Sequence, residues 1–440
     1  MTEFSSYFIS RKKEKKDSGS HQPVPSLPAG LTRRAPMSLL TVLLTTSTVG
    51  SSCKTAFDCS LNGVCNVATG VCACDAPWKD AASGEEACSV LDVLPHADDY
   101  VPAYGGPRTD TAYHANQTMT SWGGNILGPL EDGKFHMWVS AMGGGSGLDG
   151  WTHISEIHHA TASDPMDAFT RVDTALPKEA HNASPLRAKN GSFLIFHIGN
   201  SDVPKGQPSS SFLHASESPN GPWRPLPAIS CNNPAPMLHN NGTVYCGCNN
   251  GGFTIYRSDD IWQGKWTKVG GALAWPPSWG SAAPGELRNE DPYLWMDRRS
   301  NWHFLAHRYD YRDGWPVNPN QTMPILVSGH GFSVDGVTWG FNAAEQPYSG
   351  VINFVNGTTQ QFSTFERPHL LFNSKQIPTH LVNGVSPYWL SPTSGHACDG
   401  CDARKGSAHS CVVCKTTQGI DKTYTLVSRL NVPDAAVRMQ

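Results

Sequence analysis

The sequence predicts an all-β protein: a five-bladed β-propeller preceded by a small disulfide-rich module. Three observations lead there. The chain is rich in turn residues and poor in charge, with 42 Gly, 33 Pro and 16% charged residues in 440, against roughly 25% charged in an average globular domain. Six of its thirteen cysteines crowd between Cys53 and Cys88. A short polar-then-apolar pattern recurs about every 50 to 60 residues, a period that marks propellers and solenoids. A formal net charge of −4 in a chain that is 10% aromatic excludes a generally basic nucleic-acid binder and an acidic disordered chain.

Residues 1–52 read as an extension plus a signal peptide. Arg33 and Arg34 precede an apolar stretch from Met37 to Gly50, which ends in the small residues Gly50, Ser51 and Ser52. The stretch is short for a membrane span, and its charged front and small-residue end suit cleavage, so no stable span is expected. Met37 is a candidate start, because 36 residues with the basic run Arg11 to Lys16 precede the stretch. The alternative is a cytoplasmic tail before an uncleaved anchor. Six Asn-x-Ser/Thr sequons, at Asn116, Asn182, Asn190, Asn241, Asn320 and Asn356, agree with a secreted, extracellular glycoprotein.

Residues 53–90 form the first folded module. A segment so small needs disulfides to fold, because it cannot bury enough apolar surface. Its cysteine spacing, C-x5-C-x5-C-x6-C-x-C-x13-C with the step Cys72-Ala-Cys74, resembles an epidermal-growth-factor-like module. That resemblance implies the pairs Cys53–Cys65, Cys59–Cys72 and Cys74–Cys88, and a possible protein partner. Calcium-binding versions carry acidic and amide residues before the first cysteine, where this chain has Val49 to Ser52, so no calcium is expected in the module.

Residues 100–431 carry the repeat. Its five copies begin at Gly124-Asn125, His181-Asn182, Asn232-Asn233, Glu290-Asp291 and Glu366-Arg367. The first four continue through a Gly, Asn or Asp turn into a β-rich strand starting at Phe135, Phe193, Val244 or Trp302, which is a hairpin pattern. Third strands are expected within Ile157 to Phe169, Phe212 to Trp223, Ile255 to Trp266 and Leu326 to Trp339. Tyr424 to Arg429 closes the fifth copy. Radial repetition of such sheets hides their edges. The leading polar pair of each copy then falls where an innermost strand enters the central channel, so the pairs converge at one mouth. Side chains of this type often only satisfy backbone groups at strand starts. Carboxylates are different, because in a crowded channel they must be paired, metal-bound or used chemically.

Around these residues, Leu287 to Trp295, Trp302 to His307, Ser333 to Trp339, Phe365 to Phe372 and Pro378 to Gly384 resemble the five-bladed propeller glycoside hydrolases of the arabinanase, xylosidase and invertase type. The resemblance implies glycosidic cleavage by two carboxylates, with a third acid for tuning. It departs at the first blade, where that group usually has an Asp and this chain reads Trp122-Gly-Gly-Asn125; an amide can neither take a proton nor form a glycosyl ester. The catalytic set is therefore expected at Glu290, Asp291 and Glu366. Arg367 would keep its neighbour Glu366 ionised as base or nucleophile, Asp291 and Trp295 would push Glu290 up as the acid, and Asp291 would position. Trp122, Asn125, His181, Asn182, Asn233, His307 and Arg367 are expected to bind substrate.

Tryptophans in Trp275-Pro-Pro-Ser-Trp279 and at Trp315 offer faces for sugars to stack on, or simply pack between blades. His181, His307 and His330 bind ligand, hold a channel metal or are merely satisfied; no cofactor or metal is the favoured expectation. Within the insertion at residues 396–416, Cys398, Cys401, Cys411 and Cys414 favour two disulfides over a zinc site in a secreted chain. Of Cys231, Cys246 and Cys248, one thiol is left over, free or bridging chains. The leading function is a secreted glycosidase acting on an extracellular or cell-wall polysaccharide. Its rivals are a non-catalytic glycan-binding propeller and an adhesion protein that uses the module.

Overall fold

The computed structural model describes residues 52–105, 119–143, 148, 151–199, 211–249, 252–273, 289–308, 328–342, 345–362, 364–386 and 423–433. The N-terminal extension, the tryptophans at 275, 279 and 315, the insertion cysteines, Asn116 and Asn320 lie outside these residues. The described residues fall in one compact unit. Among the described residues no helix is long and apolar enough to cross a membrane.

Five four-stranded antiparallel sheets succeed one another along the chain. Their innermost strands are Thr120–Leu127, Ala180–Arg187, Ala235–Leu238, Asn289–Met296 and Thr364–Phe372. In blades one to four each predicted third strand is followed by a fourth, which begins at or just after the trailing aromatic: Thr170–Leu176 after Phe169, Arg224–Ile229 after Trp223, Thr267–Leu273 after Trp266, and Trp339–Phe341. The fifth blade is built differently. Its outermost strand is Tyr104–Gly105, from the beginning of the ring, paired with Tyr424–Arg429 from its end. Two residues are too few to carry an alternating pattern, so this closing strand was not foreseeable. Closure is reinforced by apolar packing of blade one on blade five, where Met137, Val139, Leu371, Val382 and Val427 share one core.

Each innermost strand is broken at the same place. Gly123, Asn182, Asn233, Asp291 and Arg367 all take left-handed backbone conformations, with φ between 47° and 58°. In four blades this residue lies inside a β-bulge, between Trp122 and Asn125, His181 and Ser184, Glu290 and Tyr293, and Glu366 and His369. Glycine, asparagine and aspartate tolerate such a conformation best, and for other residues it costs of the order of 1–3 kcal/mol. This corrects the register of the first copy. The equivalent of His181-Asn182 is Trp122-Gly123, so Asn125 lies two residues deeper in the strand.

The cysteine-rich module is held by Cys53–Cys65, Cys59–Cys72 and Cys74–Cys88, the pairing that the resemblance implied. It packs on blade four: Phe57 meets Phe332 edge-on, Trp78 lies against His330, and Asp75 receives Arg298 and Arg299. In blade three the bridge is Cys231–Cys248. Cys246 is the remaining thiol and is buried, which removes it from any bridge between chains.

Asn190, Asn241 and Asn356 are exposed, whereas Asn182 is 5% exposed inside the ring. Glycopeptide mapping of protein from a eukaryotic secretory host should find occupancy at the first three and none at Asn182. A glycan on Asn182 would contradict the ring.

Candidate functional site

The bulges decide what the mouth contains. In an unbroken strand neighbouring side chains point to opposite faces, and a bulge re-aims one of them. Glu290 and Asp291, consecutive on the inner strand of blade four, thereby reach the same space as Glu366 of blade five and His307 of blade four's second strand. One side-chain atom from each of these four lies within 4.8 Å of the others.

Arg367 occupies the centre. Its Nη1 donates to Asp291 Oδ1 at 2.7 Å, and the two side chains are 3% and 5% exposed. Its Nη2 donates to the Asn182 carbonyl of blade two at 3.3 Å. On blade one, a Cβ at Gly123 would stand 2.9 Å from the Arg367 Cβ and 3.3 Å from its Nε, so the glycine is what lets the arginine through. Asn182 continues the chain of contacts, donating from Nδ2 to Asn233 Oδ1 of blade three at 3.3 Å. One arginine therefore links, directly or through Asn182, all five blades.

The electrostatics invert the expected assignment. Sequence reasoning gave the Arg367 charge to its neighbour Glu366; across the ring it goes to Asp291 instead. The Glu366 carboxyl, with a side chain 12% exposed, is pushed well above its ordinary range, first by burial and then by the charges of Glu290 and Asp291, with Arg367 opposing. Burial also raises Asp291, while Arg367 draws it back toward the ionised form. His307 Nδ1 stands 3.6 Å from Glu366 Oε2, and burial lowers this imidazole to about 3, so it is neutral. Its neighbourhood of three carboxylates and one imidazole is also a donor set that a divalent cation can use.

The remaining expected residues surround this cluster or lie below it. His181, held by Ser155 Oγ at 2.8 Å from Nδ1, carries Trp151 stacked on its ring. Asn125 faces not the mouth but His369, its Nδ2 lying 3.0 Å from Nδ1. His330 lies away from the cluster, against His303, Trp295 and Trp78. Sequence reasoning missed Gly384 and Asn383. Gly384 pairs with Glu366 across the sheet, and a Cβ there would meet the Trp122 indole at 2.8 Å; the missing side chain seats Trp122 beside Glu366. Asn383 Nδ2 donates to the Glu366 carbonyl at 3.1 Å. Both fall in the Pro378 to Gly384 stretch, but only the tertiary fold gives them a partner.

No protein-family model matches this chain, and no curated protein matches it. Solved structures are similar to it over most of its length. An endo-arabinase from Bacteroides thetaiotaomicron aligns with 72% of this chain and 95% of its own, at 10% identity and a TM-score of 0.44. A family 117 glycoside hydrolase from Zobellia galactanivorans aligns with 78% and 90%, at 11% identity and 0.42. An exo-β-1,3-galactanase from Phanerochaete chrysosporium aligns with 80% and 66%, at 12% identity and 0.43. At such low identity nothing about substrate carries over from them.

The raised Glu366 has a thermodynamic consequence. A carboxyl whose folded-state pKa exceeds its unfolded value disfavours the fold increasingly as pH rises above the unfolded value, by about 1.4 kcal/mol per pH unit until the folded pKa is passed. Glu366→Gln removes that penalty. The variant's stability relative to wild type should therefore increase between pH 5 and pH 8 in denaturant titrations; a pH-independent difference would mean that Glu366 is not desolvated.

Proposed function

We propose that this protein is a secreted glycoside hydrolase acting on an extracellular or cell-wall polysaccharide. The observation that carries the reading is the convergence of Glu290, Asp291 and Glu366 at one mouth, with the burial that separates their roles. Glu366, buried and facing two other carboxylates, is the proton donor to the leaving glycosidic oxygen. Glu290, partly buried like Glu366, is the nucleophile. Asp291, fixed by Arg367, positions and tunes the pair. This reverses the roles expected for the two glutamates.

Geometry also selects the stereochemistry. One carboxyl oxygen from each group lies within 4.8 Å of the others, a spacing nearer the about 5–5.5 Å of retaining pairs than the roughly 6.5–9.5 Å that an inverting pair needs for its water. Glu290 would attack the anomeric carbon as Glu366 protonates the departing oxygen; Glu366 would then take a proton from the water that breaks the glycosyl ester. Trp151, partly exposed and stacked on the buried His181, supplies apolar surface that a sugar face needs. Disulfides in the module and in blade three support an oxidising compartment. The module's bridges and spacing support its epidermal-growth-factor-like reading and a role in holding a partner.

One observation favours a second reading, glycan binding without cleavage. Blade one presents Gly123 at the ring position, and its contact with Arg367 leaves no space for a carboxylate there.

Screening neutral polysaccharides and their oligomers with product analysis separates the two. On a cleaved substrate, Glu290→Gln and Glu366→Gln should each lower turnover by about 100-fold or more, and the first-formed product should retain its anomeric configuration by NMR. Unchanged turnover in either variant would refute the assignment, and inversion would refute the Glu290 nucleophile. Binding at the mouth with no cleavage would leave the second reading.

A further inference from the structure

A second concave site lies at the other end of the inner strands. Glu290 and Trp295 are five positions apart on one bulged strand, which puts their α-carbons no more than roughly 17 Å apart. The cleft holds about 230 Å³ and is formed jointly by the cysteine-rich module, the blade-four turn after Trp295 and the blade-five hairpin at Ile377 and Pro378.

Its lining is divided by chemistry. The floor is apolar, made by half-buried Ile377 with what the buried Trp78 of the module and the buried Trp295 and Pro378 of the propeller leave uncovered. Trp295 is stacked with both Tyr293 and His303, so it is held in place. The rim is charged but balanced. Arg298 Nη2 lies 2.6 Å from Asp75 Oδ1, Arg299 Nη2 lies 2.5 Å from Asp75 Oδ2, and Arg299 Nε lies 3.6 Å from Asp297. Arg299 is further committed to the Leu61 carbonyl at 2.7 Å, whereas the Arg298 side chain is 52% exposed.

We propose that this cleft is a second glycan-binding site, taking one neutral sugar unit of a polysaccharide. The size fits a single ring, being below the roughly 300 Å³ where pockets for drug-sized ligands begin. The charge balance selects against ions: an anion would meet Asp75 and Asp297, and a cation would meet the two arginines. Hydroxyl groups both donate and accept, so vicinal sugar hydroxyls use the carboxylate and the guanidinium together while the C–H face rests on the floor. A chain engaging both ends of the ring would gain effective concentration at the mouth, which assigns the module a role in holding polymeric substrate.

The proposal rests on the glycan reading of the mouth, and the test keeps the two apart. Calorimetric titration of the full chain with neutral hexaoses of arabinose, xylose, galactose and glucose should give two sites per chain for at least one of them. Arg298→Ala, at a half-exposed position where unfolding temperature should not change, should weaken one site at least tenfold and leave the other intact. The Glu290→Ala/Glu366→Ala double variant should do the converse. A single site, lost in the double variant and indifferent to Arg298→Ala, would overturn this proposal and leave the mouth reading standing. If none of the hexaoses binds, both fall.

Discussion

The structure turns on one buried ion pair. Arg367 and Asp291 sit at equivalent bulges of adjacent blades, joined at 2.7 Å and nearly sealed from solvent. Taking two charges out of water is expensive, and only close geometry and further hydrogen bonds offset it. Here the Asn182 carbonyl takes one more Arg367 donor, and Gly123 yields the space that the side chain needs. The propeller is thus fastened twice: at its rim by the pairing of Tyr104–Gly105 with the last strand, and at its axis by an arginine reaching across the channel.

The same pair sets the chemistry. Because Arg367 is committed to Asp291, it leaves Glu366 with two carboxylate neighbours and little water, and that carboxyl holds its proton. Had the guanidinium turned to Glu366, the mouth would contain an ionised Glu366 and an unpaired buried aspartate. The bulge that places Asp291 for Arg367 also aims Glu290 at Glu366. Structural fastening and acid–base polarity are one arrangement seen from two sides, and substitutions that loosen the first will blur the second.

Much of this was legible in the sequence because the bulge has a chemical signature. The left-handed residue at the head of the inner strand is Asn, Asp or Gly in four blades and Arg367 in the fifth, and the following proline in three blades marks the place, so the pairs at Asn232-Asn233, Glu290-Asp291 and Glu366-Arg367 stood out with their period. Blade one misled because Gly124-Asn125 looks like that pair, while the conformation belongs to Gly123. The partner of Arg367 was illegible for a different reason. Sequence proximity offered Glu366, but consecutive residues at a bulge need not interact, and the decisive contact runs to a residue 76 positions away. Likewise the need for Gly384 exists only once Trp122 is folded against it.

A double-mutant cycle on the ion pair tests the account most directly. Arg367→Met alone should destabilise by about 3–5 kcal/mol in denaturant unfolding, since it strands Asp291 in the interior, and Asp291→Asn in the same chain should recover a large part of that loss. A coupling well above 1 kcal/mol is the predicted result. Additive losses, with a coupling near zero, would show that Arg367 and Asp291 do not act together and that the ring is not fastened at its axis.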